Sequence, residues 1–154
     1  MKYFIPLLLM VVACNSQPSA NQDSKEDLSE QSEKEIWETD LMMSDLAIRD
    51  GFNKALIMYA DDSLVKPKEG ELPVIGKSAL ENYYRDREDT KDISWKPFKV
   101  EAAKSGELGY SLGNWTFVAE DTTYYGNYYT IWKKQTDGKW KWVVDGGNGT
   151  PAPQ

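Results

Sequence analysis

The side chains that could perform acid–base chemistry in this chain are carboxylates, lysines and tyrosines, because its 154 residues include no histidine and a single cysteine. The lack of histidine excludes Ser-His-Asp and Cys-His nucleophilic sites and zinc centres built on imidazole. Among the carboxylates, Asp145 follows residues 140–144 (WKWVV), which predict a mostly apolar strand near the middle of a sheet. Burial at that place would raise the pKa of Asp145, so that it could act as a general base or acid near neutral pH.

The alternation of side chains along that strand opposes this role. A period of two places Trp140 and Trp142 on one face and Lys141 and Asp145 on the other, and the lysine marks the second face as solvated. We therefore expect Asp145 to point away from a pocket unless a β-bulge resets the register.

Two further candidates for catalysis lie on the predicted first helix. Tyr59 belongs to its apolar stripe, where the hydroxyl could donate to a ligand carbonyl or the ring could simply pack in the core. Asp50 could face the mouth of a pocket as a base, or form a solvated ion pair with Arg49. No metal and no other cofactor is expected.

Aromatic and polar side chains on two long predicted strands could bind a ligand. Tyr110 and Asn114 share one face of the first of these strands, and Tyr128, Thr130 and Trp132 share one face of the second. Together they would form a wall suited to a planar or apolar small molecule. The alternative is that these side chains fill the interior and leave no pocket.

The N-terminus predicts export and a lipid anchor. Residues 1–13 carry one lysine and an apolar run that is too short to span a bilayer, which is typical of a signal peptide. The run ends in VVAC, which resembles the bacterial lipobox, so we expect acylation of Cys14. The residue after the cysteine is Asn15 rather than aspartate, which by resemblance to Gram-negative lipoproteins favours the outer membrane of the cell envelope. Residues 14–34 are too polar to fold and predict a flexible tether.

The formal net charge of −7 makes nucleic acid an unexpected partner.

Residues 35–150 predict a single α+β domain, followed by a tail at 151–154. The capping box Ser32-x-x-Glu35 indicates the start of an amphipathic helix that reaches about Ala60, with Gly51 as its weak point. A second capping box at Ser78 predicts a second helix.

The second half of the domain predicts a sheet. Residues 95–142 are rich in aromatics, and turn residues divide this part of the chain into four segments, as in an antiparallel meander. Asp137-Gly138 predicts a type I′ hairpin. Pro97 places the first segment at an edge of the sheet, because proline donates no hydrogen bond to a neighbouring strand.

Several stretches taken together resemble one known superfamily. In chain order they are residues 49–62, 73–77, 95–97, 105–110 and 126–148. The chain resembles the NTF2-like superfamily, which includes ketosteroid isomerase and SnoaL-type polyketide cyclases, and within it the branch named DUF4440. The resemblance implies a cone-shaped α+β fold, with N-terminal helices on a curved antiparallel sheet and an apolar pocket in which a carboxylate or tyrosine can act.

Three functions are compatible with these features. The first is a membrane-anchored module that binds a small hydrophobic or aromatic ligand. The second is an isomerase, dehydratase or cyclase with Asp145 or Asp50 as the base and Tyr59 as a hydrogen-bond donor to an oxyanion. The third is an association domain, since the resemblance implies homodimers through the outer face of the sheet. We expect binding rather than catalysis, because no carboxylate is convincingly placed by the sequence. A patch for dimerisation would draw on the aromatic residues Trp115, Phe117 and Trp140.

Overall fold

A computed structural model describes residues 26–153 of the chain. The predicted signal peptide, Cys14 and the tether up to residue 25 lie outside the described residues. None of the helices within residues 26–153 has the length and apolar character needed to cross a bilayer.

The first helical region is two helices, α1 (Ser29–Asp50) and α2 (Phe52–Tyr59), where the sequence predicts one. The break falls at Gly51, whose φ of 120° is a conformation that other residues rarely adopt. The Asp89 carboxylate then caps α2, because it accepts hydrogen bonds from the backbone N–H groups of Asn53 at 2.7 Å and Lys54 at 3.3 Å.

The start of α1 also differs from the prediction. The helix begins at Ser29, where the Asp27 carboxylate accepts the backbone N–H of Ser29 at 3.1 Å, so residues 29–34 are helical rather than part of a tether. Ser32 is not an N-cap. It is buried within the helix, and its hydroxyl donates to the backbone carbonyl of Gly106 at 3.3 Å.

The buried stripe of α1 contains Ile36, Asp40, Met43 and Ala47. These positions are spaced by three and four residues, as expected for one face of a helix. An acidic residue therefore lies on the face that packs against the sheet.

The remaining elements form a six-stranded sheet and one short helix. In chain order they are β1 (Ala60–Lys66), β2 (Val74–Ile75), α3 (Lys77–Tyr84), β3 (Ile93–Ala102), β4 (Leu108–Val118), β5 (Thr123–Lys134) and β6 (Trp140–Thr150). The strand order is β2-β1-β6-β5-β4-β3, with β1 parallel to β6 and every other pair antiparallel. The predicted α+β class and the meander β3 to β6 are confirmed. Pro97 lies on β3, which is an edge strand as predicted.

The hairpin between β5 and β6 is not of type I′. Gly138 has a φ of 82°, but no other residue type has a positive φ within the described part of the chain, so Asp137 does not meet the requirement of that turn. The Gly138 N–H donates to the Gln135 carbonyl at 2.9 Å, and the Gln135 N–H donates to the Lys139 carbonyl at 2.8 Å. This pattern is a wider hairpin that closes on a type I turn followed by a glycine.

Helix α1 crosses the concave face of the sheet and encloses the core. Its centre contains Leu56, Leu64, Trp132 and Trp142, each with at most 1% of its surface exposed. The Trp142 Nε1 donates to the backbone carbonyl of Leu56 at 2.9 Å, which ties β6 to α2. A cavity remains between α1, the end of β1 and strands β3 to β6. The candidate site lies in this cavity.

Candidate functional site

A cavity of about 360 Å³ lies between the helices and the concave face of the sheet. This volume is within the range of small-molecule sites, which run from about 300 to 1,000 Å³. One part of its wall is apolar and consists of Met43, Phe52, Leu56, Ile93, Trp95 and Trp115. The other part is polar and consists of Asp40, Lys66, Glu69, Tyr128, Thr130 and Asp145. The cavity is therefore amphipathic, because apolar and aromatic side chains line it together with hydrogen-bonding groups.

Two glycines make room for the aromatic wall. A Cβ atom at Gly113 would collide with the ring of Tyr128, and one at Gly126 would collide with the ring of Trp115. Each ring therefore covers a glycine on the neighbouring strand, which is a common way for sheets to accommodate glycine. Both rings line the cavity, so the glycines determine where the aromatic surface lies.

Asp40 is the most deeply buried acid of the site, with 1% of its surface exposed. Its carboxylate accepts hydrogen bonds from Trp95 Nε1 at 2.8 Å and from the Tyr128 hydroxyl at 2.9 Å. Burial raises the pKa of Asp40, and the nearby charge of Asp145 acts in the same direction, whereas hydrogen bonds from Ser111, Tyr128 and Trp95 oppose the rise. The residue is therefore a carboxyl group with three neutral donors.

Tyr128 is coupled to this carboxyl group. Its own burial, together with the neighbouring Asp40, raises the pKa of the Tyr128 hydroxyl, so the phenol stays protonated and able to donate. The Trp132 Nε1 donates to Ser111 Oγ at 2.9 Å, which leaves the Ser111 hydroxyl free to donate towards Asp40. These donors hold the carboxyl group in one orientation.

Asp145 also faces the cavity, where it forms an ion pair with Lys66. The Thr130 hydroxyl donates to its other oxygen at 3.0 Å. Side-chain exposure is only 17% for Lys66 and 14% for Asp145, so the pair is largely withdrawn from solvent.

A bulge in β6 explains this orientation. Ile131 of β5 pairs with Val144 and Trp132 pairs with Trp142, so Val143 is an extra residue in β6. It shifts the alternation by one position, and Asp145 then shares the inner face with Trp142. The sequence analysis expected Asp145 to face a pocket only if a β-bulge reset the register, and β6 contains such a bulge.

Of the residues predicted to bind a ligand, Tyr128 and Thr130 line the cavity, and the structure brings them together with Asp145. Trp132 does not line it. The indole of Trp132 is completely buried in the core below the cavity, where it contacts Ser111. Its size fills the space that a ligand would need at that depth.

Tyr110 and Asn114 lie on the opposite face of the sheet from the cavity. The register pairs Ser111 with Thr130, so the odd-numbered residues of β4 share the inner face. The Tyr110 hydroxyl donates to the Glu101 carboxylate on the outer face. This placement corrects the expected wall. Ser111 and Gly113 on the inner face of β4 are small, because Trp132 and Tyr128 of β5 occupy the space above them, whereas Trp115 further along β4 lines the cavity.

Asp50 and Tyr59 lie away from the cavity as well. Asp50 is at the end of α1, where it accepts a hydrogen bond from Arg49 Nε at 3.2 Å and pairs with Lys54 at 3.4 Å. The hydrogen bond from Arg49 lowers the pKa of Asp50, as expected of the solvated ion pair. Tyr59 lies half-buried in an open groove beside Met42 and Met58, and burial raises its pKa.

The three aromatic residues expected on a dimerisation patch have other positions. Trp140 is buried and donates from Nε1 to Glu35 at 2.9 Å, and Trp115 lines the cavity. Phe117 stacks on Tyr124 with 6.1 Å between the ring centres. The expected patch is therefore not formed by these residues.

Asp40, Lys66 and Trp95 are site residues that the sequence analysis missed. A signal for Asp40 does exist, because it lies four residues after Ile36 and three before Met43 on the buried stripe of α1. Nothing local indicates Lys66, whose partner is 79 residues away in the sequence. Within the described residues, no group of three or more acidic, cysteine or histidine side chains is placed to hold a metal ion.

No family model and no curated protein matches the chain. Solved structures do. A proposed ketosteroid isomerase from Parabacteroides distasonis is 16% identical, with 75% of this chain and 89% of that one covered and a TM-score of 0.63. An NTF2-like protein of unknown function from Pseudomonas putida is 19% identical, with 78% and 87% covered and a TM-score of 0.60. The CaMKII hub of S. rosetta is 17% identical, with 76% and 95% covered and a TM-score of 0.56.

At these identities the likeness shows the fold alone. The chain has the NTF2-like fold, an α+β cone in which helices pack on a curved sheet, as the sequence resemblance predicted. Proteins named as ketosteroid isomerase-like are among those that share it. The narrower resemblance to the DUF4440 branch stays a prediction.

Proposed function

We propose that this chain binds a small planar molecule, mainly apolar and carrying one polar group, in the cavity between α1 and the sheet. The observation that carries the proposal is the amphipathic lining, in which aromatic rings and hydrogen-bonding side chains enclose about 360 Å³. Sites for small molecules combine a mostly apolar wall with a few polar groups that fix the orientation of the ligand.

The polar groups are held in position before any ligand arrives. Asp40 is fixed by Trp95 and Tyr128, and Asp145 is fixed by Lys66 and Thr130. A site with fixed side chains loses little conformational entropy when it binds. This supports recognition of a molecule of defined shape.

The test is a fluorescence titration of the purified full chain with naphthol, which is planar and has one hydroxyl group. Trp115 lines the cavity, so binding should change tryptophan emission in a saturable way. Trp115→Leu should weaken binding by about tenfold, equal to about 1.4 kcal/mol. Trp37→Leu, on a residue that does not line the cavity, is the matched control and should leave the affinity unchanged. A titration that never saturates would contradict the proposal, and so would equal affinities for the two variants.

A second candidate is acid–base catalysis on such a ligand. The observation that favours it is the presence of two carboxyl groups, Asp40 and Asp145, in the same cavity, with the pKa of Asp40 raised by burial. Asp145 would remove a proton from the carbon next to a ligand carbonyl and return it elsewhere on the conjugated system. The assay is the ultraviolet absorbance of a conjugated enone formed from its unconjugated isomer. Asp145→Asn should abolish turnover while naphthol still binds, and turnover that persists in this variant would exclude Asp145 as the base.

A third candidate, association of two copies, rests on the outer face of the sheet. Leu108, Val118 and Tyr129 project there from β4 and β5 and are exposed by 45%, 56% and 40%. Exposed apolar side chains mark a protein contact where they form a continuous patch, so a partner would have to cover the length of β4, from Leu108 to Val118. Light scattering should then show a dimer that Tyr129→Lys weakens, and a concentration-independent monomer would exclude it.

We also propose that Cys14 is acylated and holds the domain at the cell envelope. The support is the sequence VVAC at residues 11–14 alone. Mass spectrometry of the purified chain should find an acylated Cys14 at the N-terminus, and Cys14→Ser should release the protein from the membrane fraction. An unmodified chain that begins at Met1 would contradict the anchor.

A further inference from the structure

The charges in the cavity are unbalanced. Three carboxyl groups line it, those of Asp40, Glu69 and Asp145, against the single ammonium group of Lys66. Lys66 is already paired with Asp145. Among the described residues, neither Asp40 nor Glu69 forms a salt bridge. Glu69 is exposed to solvent, so Asp40 is the buried carboxyl group of the cavity that has no cationic partner within residues 26–153.

Asp40 is the unusual member of this group. Aspartate is almost never fully buried unless it is paired, yet Asp40 has 1% of its surface exposed and only neutral hydrogen-bond partners. Burial raises the pKa of its carboxyl group, which reflects the cost of an uncompensated charge. A positive charge supplied from outside the chain would remove that cost.

The aromatic side chains of the lining suit a positive charge too. The rings of Phe52, Trp95, Trp115 and Tyr128 line the same cavity. Aromatic faces attract cations, and groups of such rings are the usual binding sites for substituted ammonium ions. Phe52 and Trp95 pack edge to face at 6.0 Å between ring centres, so they present surfaces in two directions. The net charge of −7 on the chain would also favour the approach of cations.

We propose that the ligand of this cavity is an organic cation, a substituted ammonium group attached to an apolar body. The proposal rests on the proposed function, because it names the chemical class of the molecule that the same cavity takes. The ammonium group lies between Asp40 and the aromatic rings, and the apolar body contacts Met43, Leu56 and Ile93. An organic anion is disfavoured, because Lys66 is engaged with Asp145 and Asp40 would repel it.

The experiment compares two probes of the same shape and size on the full chain. Phenyltrimethylammonium carries the charge, and tert-butylbenzene is its neutral counterpart. Isothermal titration or tryptophan fluorescence gives the two Kd values, and we expect the cation to bind about tenfold more tightly than the neutral compound. Asp40→Asn should remove most of this preference and leave the affinity for tert-butylbenzene nearly unchanged. Asp45→Asn, an exposed residue on the same helix, is the matched control and should leave the preference intact.

The outcomes separate this proposal from the proposed function. If tert-butylbenzene binds and the preference for the cation is below about threefold, the cavity is a ligand site but not one for cations. If neither probe binds but naphthol does, this inference fails and the proposed function stands. If naphthol does not bind either, both fail. A preference that Asp40→Asn does not reduce would also overturn the inference. If Asp40→Asn does not fold, the ratio of the two Kd values on the unaltered chain still decides whether the cavity prefers a cation. The titrations are repeated in high salt, which screens exposed charges more than enclosed ones. A preference that arises in the cavity should persist in high salt, and one that arises from surface charges should be lost.

Discussion

The ion pair between Lys66 and Asp145 gives the sharpest prediction about the cavity. Lys66→Met keeps most of the apolar stem of the side chain but removes the ammonium group. The Asp145 carboxylate, with 14% of its side chain exposed, would then keep only the Thr130 hydroxyl as a partner. Breaking a buried pair from one side typically costs about 3 to 5 kcal/mol, because it leaves an unpaired charge. Since water can reach the cavity, we expect a loss of about 3 kcal/mol in the free energy of unfolding.

The assay is urea unfolding followed by tryptophan fluorescence, with thermal unfolding as a second measure. For a domain of this size, a loss of about 3 kcal/mol corresponds to a fall in Tm of about 6 to 12 °C. The double variant Lys66→Met/Asp145→Asn removes the unpaired charge, so it should recover most of the loss. The resulting coupling energy measures the pair separately from the other effects of each substitution.

Lys54→Met is the control for this prediction. Lys54 pairs with Asp50 at the protein surface, where the two side chains are exposed by 54% and 30%. Exposed pairs contribute about 0 to 1 kcal/mol, so this variant should lose little stability. The account is contradicted if Lys66→Met loses no more stability than Lys54→Met. It is also contradicted if the double variant loses as much stability as Lys66→Met and Asp145→Asn added together, because the two residues are then not coupled.

Three other predictions concern stability and are measured by urea unfolding, two of them over a range of pH. A hydrogen bond from Lys134 lowers the pKa of Glu35 from 4.5 to about 2, so the stability that ionised Glu35 contributes is present above pH 4.5 and is lost as the pH falls towards 2. Glu35→Gln should flatten the plot of unfolding free energy against pH in that interval. An unchanged slope would contradict the assignment to Glu35. The pKa of Asp40 is raised by burial, so the stability linked to its protonated form is present below its unfolded value of 3.8 and is lost as the pH rises through the folded value. Asp40→Asn should remove this loss, and a variant that keeps it would point to another group. Asp89→Ala removes the cap of α2 and should cost about 1 kcal/mol, whereas Asp86→Ala in the same loop should change stability by less than about 0.5 kcal/mol; equal effects would rule out the cap.

The fold was predictable because its signals are local. Alternating aromatic strands, separated by turn residues, predict the meander from β3 to β6, and Pro97 marks an edge. Gly51 predicts the weak point of the first helix, although its φ of 120° and the cap from Asp89 make it a complete break. Apart from the cap by Asp89, which is 36 residues from Asn53 in the sequence, the residues that determine these elements lie within or beside them.

The site was less predictable, because it depends on contacts between distant residues. The orientation of Asp145 depends on one extra residue in β6, and the bulge appears only when β6 is paired with β5. The inner face of β4 could not be identified from apolarity, since its small residues Ser111 and Gly113 lie beneath the larger Trp132 and Tyr128. A buried acid on a helix stripe, as at Asp40, is a signal that a search for polar residues at apolar positions would detect.

The most direct test of the central claim is a crystal structure of the chain with phenyltrimethylammonium. We predict electron density for the probe inside the cavity, with its ammonium group close to the Asp40 carboxylate and within about 6 Å of the centre of the Trp95 or Trp115 ring. The pair between Lys66 and Asp145 should remain intact. An unoccupied cavity at saturating probe, or one that Trp115 has closed by moving inwards, would contradict the claim that this cavity binds an organic cation.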